Sequence, residues 1–329
     1  MRRLAIAAVA ALALGLSACA NNAPAGQTAA PSASAGSASS AATDDLTFAM
    51  ITHSKQGDAF WDIVKSGGTD AAGVMGVEMT YQADPDPAQQ SILINNAVAQ
   101  KVDGLIISMA NPDGLREAVK GAVDAGIPVI TINSGIESSK EFGALTHVGQ
   151  SEELAGEAAG EQFAQAGKKK MICVIHEAGN IGQEQRCAGA AKKFGGQAEN
   201  VQVDISDLAA AQSTITAKLQ ADPAIDAVFT LNGSITASAR GAIKDTSSAA
   251  MLGGIDLDAG VVEGIQQGEV AFAIDQQPYA QGWLPVVFLT QKVRDAMDVG
   301  GGQPVYSGPL VVTKDNVDSI ADATARGKH

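Results

Sequence analysis

From Leu46 onward, short apolar runs alternate with longer amphipathic stretches, and this alternation limits the possible folds more than any other feature. Strands are expected at 46–51, 77–82, 104–108 and 128–132, separated by helices at 60–73, 87–100 and 113–125. The pattern restarts after residue 150. Helices at 154–165, 183–194, 209–220, 235–244, 259–267 and 280–297 then alternate with strands at 171–175, 201–205, 227–230, 251–254, 270–274 and 310–313. Strands spaced by helices of roughly 10–15 residues imply βαβ units and parallel sheets. Right-handed crossovers place helices on both faces of such sheets. Two strands echo one another across the restart, Val102-Asp103-Gly104-Leu105-Ile106-Ile107 and Ile225-Asp226-Ala227-Val228-Phe229-Thr230, each an apolar run opened by an aspartate. The expected fold class is α/β, with two doubly wound parallel-sheet lobes.

Ahead of the alternation, Arg2 and Arg3 precede an apolar run over 4–16. Spanning a bilayer takes roughly 20 apolar residues, so the run reads as a secretory leader, 1–18. It ends in Leu16-Ser17-Ala18-Cys19, which resembles a bacterial lipobox. Cleavage would leave Cys19 as a lipidated first residue. Residues 20–43 carry no charge and are almost all small or polar, the composition of a flexible tether, here set at 19–45. The expected location is the outer face of the cell membrane, in the periplasm or at the cell surface, with membrane contact through the lipid alone.

The chain carries a formal charge of −14, whereas a free-standing nucleic-acid binder must neutralise phosphates. No nucleic-acid partner is therefore expected. The sequence has no G-x-S-x-G elbow, P-loop, G-x-G-x-x-G or H-E-x-x-H. Its four histidines, His53, His147, His176 and His329, lack metal-ligand spacing with each other or with cysteine. Neither catalysis, a cofactor nor a metal is expected.

In parallel sheets, ligands bind at the carboxyl ends of strands. Those ends carry His53 to Trp61, Asn133-Ser134, His176 to Asn180, Asn232, Asp256 and Asp275-Gln276-Gln277, and the helix after the 171–175 strand carries Arg186. Amides, carboxylates and guanidinium match vicinal hydroxyls, because each can make two hydrogen bonds. An aromatic face packs on the C–H face of a sugar ring. Aromatics make up only 4% of the chain, so the adjacent Phe60 and Trp61 stand out; one is expected to pack against the sheet and the other to meet the ligand. His176-Glu177 could form an acid–base pair, but reads better as a polar loop end.

Several segments together resemble the periplasmic sugar-binding proteins of ABC importers, the cluster that includes the ribose-, allose- and galactose-binding proteins. They are Asp58-Ala59-Phe60-Trp61, Gly126 to Asn133, His147-Val148-Gly149-Gln150, Gln185-Arg186, Asp226 to Asn232, Gly254-Ile255-Asp256 and Ile274 to Tyr279. The resemblance implies a type I periplasmic binding protein fold with a three-segment hinge, the crossovers lying near Gln150, Gln276 and Ser307. The lobes would be 46–149 plus 277–306 and 150–276 plus 307–329. It further implies that Asp58 replaces an asparagine bonding a sugar hydroxyl, and that Phe60 and Trp61 stack on the ring. Arg186, Asn232, Asp256 and Gln276 would be ligand residues of the usual types. Asn133 and Ser134 stand where the family usually has an Asp-Arg pair, so the hydroxyl pattern read by the first lobe differs. Leu208 falls where ribose binders carry a third aromatic. His53 and Lys55 are extra polar groups expected near the cleft mouth.

The implied function is capture of a monosaccharide or polyol by a monomer, and its delivery to the permease of an ABC importer. The alternatives are a same-fold receptor for a nucleoside or furanose-like signal, or a sugar-responsive regulator. Cys173 and Cys187 form an even pair outside the cytosol, which favours a disulfide over two buried thiols.

Overall fold

The computed structural model describes residues 45–55 and 58–329. The leader, Cys19 and the tether lie outside the described residues, apart from Asp45 at the tether's end. In chain order the first half runs β1 (Thr47–Thr52), α1 (Ala59–Met75), β2 (Glu78–Ala83), α2 (Pro87–Gln100), β3 (Gly104–Ser108), α3 (Pro112–Asp124), β4 (Val129–Ile132), α4 (Ile136–Ser139) and β5 (Thr146–Gly149). Next come α5 (Glu152–Gln165), β6 (Lys170–Ile175), α6 (Ile181–Phe194), β7 (Gln197–Gln202), α7 (Leu208–Ala221), β8 (Ala227–Thr230), α8 (Gly233–Thr246), β9 (Met251–Ile255), α9 (Ala259–Gln267) and β10 (Phe272–Asp275). The chain ends with α10 (Pro278–Asp295), β11 (Val305–Tyr306), β12 (Leu310–Thr313) and α11 (Ala321–Ala325).

The strands form two sheets of six, ordered β11-β5-β4-β3-β1-β2 and β12-β10-β9-β8-β6-β7. Every pairing is parallel except β10 with β12. The two orders correspond strand for strand over the first five strands of each sheet. Alternating side chains feed apolar layers on both faces. On β3, Ile106 joins the layer under α1 and α10, while Leu105 and Ile107 join the layer under α2 and α3. The echoed aspartates have one shared role. Asp103 Oδ2 accepts from the Thr47 amide at 2.8 Å, and Asp226 Oδ1 from the Lys170 amide at 2.8 Å. Each thus seals the start of its lobe's first strand. No described helix is long and apolar enough to cross a membrane.

The structure moves two expected strands, β7 and β10, and adds two that were not expected, β5 and β11. β7 lies at 197–202 rather than 201–205, because it is a sheet edge on which only Val201 is buried and no apolar run marks it. β10 begins at Phe272, since the Val270 amide donates to the Gly264 carbonyl and so belongs to the turn closing α9. β5, Thr-His-Val-Gly, is fully buried yet has a single aliphatic side chain, so no apolar run announced it.

Cys173 on β6 and Cys187 on α6 are joined by a disulfide, with Cα atoms 5.8 Å apart and a sequence separation of 14. Closing a loop of this size stabilises by about 3 kcal/mol. The Cys173→Ser, Cys187→Ser double variant is expected to lose about that much, read as a lower urea midpoint with a steeper slope as the unfolded chain loses its crosslink.

Candidate functional site

The carboxyl ends of the two sheets enclose a cavity. Its first wall comes from residues after β1, namely His53, Asp58, Phe60 and Trp61, with Asn133 after β4. The second comes from His176, Glu177, Asn180, Gln183 and Arg186 after β6, Leu231 and Asn232 after β8, Asp256 after β9 and Gln276 after β10. The space between them is about 290 Å³, part of it open to solvent.

Local rules of helix and strand ending aim these groups. Asp58, Asn180 and Asn232 are the N-caps of α1, α6 and α8, accepting from the amides of Phe60, of Gly182 and Gln183, and of Ser234. A cap residue sits where a strand end gives way to a helix, so capping fixes its side chain at the cavity rim. Asn133 and Asp256 directly follow β4 and β9, corresponding strands of the two sheets, and both have left-handed backbones, with φ of 61° and 72°. Asn and Asp tolerate that region better than other non-glycine residues.

Arg186 is buried against a buried carboxylate. Its Nε and Nη2 donate to Glu152 Oε2 and Oε1 at 2.6 and 2.9 Å. Nη1 has only a long contact with the Leu231 carbonyl, at 3.5 Å, so its donor capacity remains for the cavity. Gln276 joins the walls: its Nε2 donates to Asp256 Oδ1 at 2.6 Å, and its Oε1 accepts from Asn133 Nδ2 at 3.0 Å. Asn232 Nδ2 donates across to Asp58 Oδ1 at 3.3 Å. Burial, aided by the nearby Glu177 charge, pushes the Asp58 carboxyl up to about 6. Burial also pushes Asp256 up to about 7, against the pull of Arg186. Burial, together with the Arg186 charge, lowers His53 and His176 to about 3, so both rings are neutral.

Of the residues singled out from the sequence, His53, Asp58, Phe60, Trp61, Asn133, Arg186, Asn232, Asp256 and Gln276 meet at this cavity. Two others do not. Lys55 sits at the cleft mouth, where it was expected, and pairs with Asp204 Oδ1 at 3.1 Å, its long stem reaching the exposed carboxylate of the other lobe. Ser134 does not line the cavity; its hydroxyl donates to Asn133 Oδ1 at 3.0 Å and reaches Asn180 Oδ1 of the other lobe at 3.5 Å. The expected division of labour between Phe60 and Trp61 is also corrected. Packed edge to face with centroids 5.1 Å apart, both line the cavity and both belong to the apolar core. Sequence reasoning missed Glu152, Gln183 and Leu231. An Asn-x-x-Gln helix start, Asn180 to Gln183, was the available signal for Gln183, since the third helical residue points back toward the cap.

The raised Asp256 value makes stability depend on pH in a stated direction. Its folded value, about 7, exceeds the ordinary 3.8, so the native state holds the proton more tightly. The stability this contributes is full below about 4 and is lost as pH rises through about 7. His53 and His176, lowered from 6.5 to about 3, act with opposite sign. The difference between wild type and Asp256→Asn isolates the carboxyl: urea melts across this window should show wild type losing stability relative to the variant as pH rises.

Comparison with known proteins agrees with this geometry. Residues 48–296 match the family described as the periplasmic binding protein domain. A crystal structure of a carbohydrate transporter from Acidothermus cellulolyticus 11B, in complex with myo-inositol, is 41% identical with a TM-score of 0.85. That match covers 86% of this chain and 99% of the other. An ABC transporter solute-binding protein from Agrobacterium vitis with bound D-fucose is 26% identical, with a TM-score of 0.75 over 84% of this chain and 99% of that one. A xylose/arabinose-binding protein of Sulfolobus acidocaldarius is 25% identical over 211 residues, 58% of this chain and 52% of its own, so the match spans about half of that relative's length. With a family match spanning most of its length and two lobes closing on a polar cavity, the chain belongs to the periplasmic binding protein family.

Proposed function

We propose that this protein is an extracytoplasmic solute-binding protein that captures a neutral monosaccharide or polyol between its lobes and delivers it to the permease of an ABC importer. The cavity carries the reading: an aromatic pair on one side, and amide, carboxylate and guanidinium groups on the others, enclosed between two sheets. In this reading Asp58, Asn133, Arg186, Asn232, Asp256 and Gln276 bond ligand hydroxyls, and Phe60 and Trp61 cover a ring face. The lobes, 46–149 plus 277–306 and 150–276 plus 307–329, hinge where Gln276, Gln281 and Ser307 bond one another. Ligand selects the closed form. Cys19 carries the lipid that holds the monomer at the membrane surface.

The test is a thermal-shift and calorimetric panel of myo-inositol, D-fucose, xylose, arabinose and a set of nucleosides. A specific ligand raises the melting temperature by mass action. Saturable binding of a cyclic polyol or sugar, recovered unchanged, is expected. Binding confined to a nucleoside would replace this reading with a same-fold receptor of another class.

A further inference from the structure

Two buried polar atoms on the second wall have no partner, His176 Nδ1 and Glu177 Oε1. Leaving such atoms unpaired is costly, so each points to a group that arrives from outside. The surrounding bonds define what each offers. Gln183 Oε1 accepts from the backbone amides of His176 and Glu177 at 2.9 and 3.2 Å, which fixes the orientation of its amide. Its Nε2 must then donate, and does so to His176 Nε2 at 3.0 Å and to Glu177 Oε2 at 3.3 Å. The neutral His176 ring therefore accepts at Nε2 and carries its hydrogen on Nδ1. Glu177 Oε2 also receives Asn180 Nδ2 at 2.6 Å, leaving Oε1 free. One residue, Gln183, thus holds a donor and an acceptor on adjacent residues of the same wall.

We propose that His176 Nδ1 and Glu177 Oε1 read a vicinal pair of hydroxyls on a cyclic polyol, with Gln183 as the residue that positions both. A hydroxyl pair suits this arrangement, since one oxygen can accept from the imidazole while its neighbour donates to the carboxylate. The inference rests on the polyol reading above and adds a discrimination to it: rings lacking one of those two hydroxyls are rejected, because the buried pair is again left unpaired.

The test is calorimetry with myo-inositol and the set of monodeoxy-inositols, or with D-xylose and its deoxy analogues if the panel selects the pentose. Wild type, Glu177→Gln and Gln183→Met are compared, with melting of the ligand-free proteins as the control for folding. For wild type, removing one of the read hydroxyls should weaken binding about tenfold or more. Both variants should bind the parent more weakly and distinguish parent from that analogue by less than about threefold. A purely structural role would instead weaken all ligands by the same factor, and equal ratios in wild type and variants would overturn the inference while leaving the polyol reading standing. If wild type bound no polyol or sugar at all, that reading and this inference would fall together.

Discussion

Arg186→Ala is expected to lose ligand affinity by about 100-fold and folding stability by about 3–5 kcal/mol. The two losses have separate causes. Nη1 is the donor left for the cavity, and a hydrogen bond from a charged group contributes about 1.5–3 kcal/mol. The stability loss comes from the partner: Glu152 is fully buried and would lose the guanidinium that meets both its oxygens. Arg186→Lys should not restore binding, because a single ammonium cannot grip both Glu152 oxygens and reach the cavity as well. Removing both charges, as Arg186→Met with Glu152→Leu, should recover most of the stability and none of the affinity. Urea melts and calorimetry on this series separate the two roles, and unchanged affinity in a folded Arg186→Ala would sink the assignment of Arg186 to the site.

The second large effect is expected far from any ligand. A Cβ at Gly156 on α5 would lie 2.0 Å from the Arg186 carbonyl oxygen and 2.9 Å from the Ala190 amide nitrogen. Gly160 and Gly189 make the same kind of approach, to the carbonyls of Ala190 and Glu153 at 2.3 Å each. Helices α5 and α6 therefore touch backbone to backbone along a seam of three glycines. Gly156→Ala cannot be absorbed by a side-chain rotation, because what it meets is main chain. The helices must separate, and α6 carries Arg186. The expected cost is about 3 kcal/mol, at the top of the usual range for overpacking, together with weaker binding. Gly73→Ala is the control: it lies within α1 with open space at its Cβ, and should stabilise by about 0.5–1 kcal/mol.

Those glycines show where the sequence stops being informative. Helical periodicity places Gly156 in a helix, but the backbone it touches lies about 30 residues later. Glu152 was invisible for the same reason, since its buried partner is 34 residues away. The strand ends were legible because a buried parallel strand is a continuous apolar run, and the first polar residue past it must sit at the sheet's rim. This located Asp58, Asn133, Asn232, Asp256 and Gln276. It failed at β7, where an edge strand needs few apolar side chains. Ser134 failed in a related way. Asn133 lines the cavity, while the Ser134 hydroxyl is taken up by Asn133 Oδ1 and Asn180 Oδ1.

The cavity wall also acts as an electrostatic filter. Three carboxyl groups, those of Asp58, Glu177 and Asp256, face it against one guanidinium, which Glu152 already neutralises. Its two histidines stay neutral down to about pH 3 and supply no compensating charge. A phosphate, sulfate or uronate on the ring would enter a low-dielectric space whose one cation among the described lining residues is already held by Glu152. The protein should therefore collect only unmodified, neutral rings, and a phosphorylated form of the ring it binds should fail to displace the parent. Such a receptor would ignore nutrients already charged by another cell's metabolism.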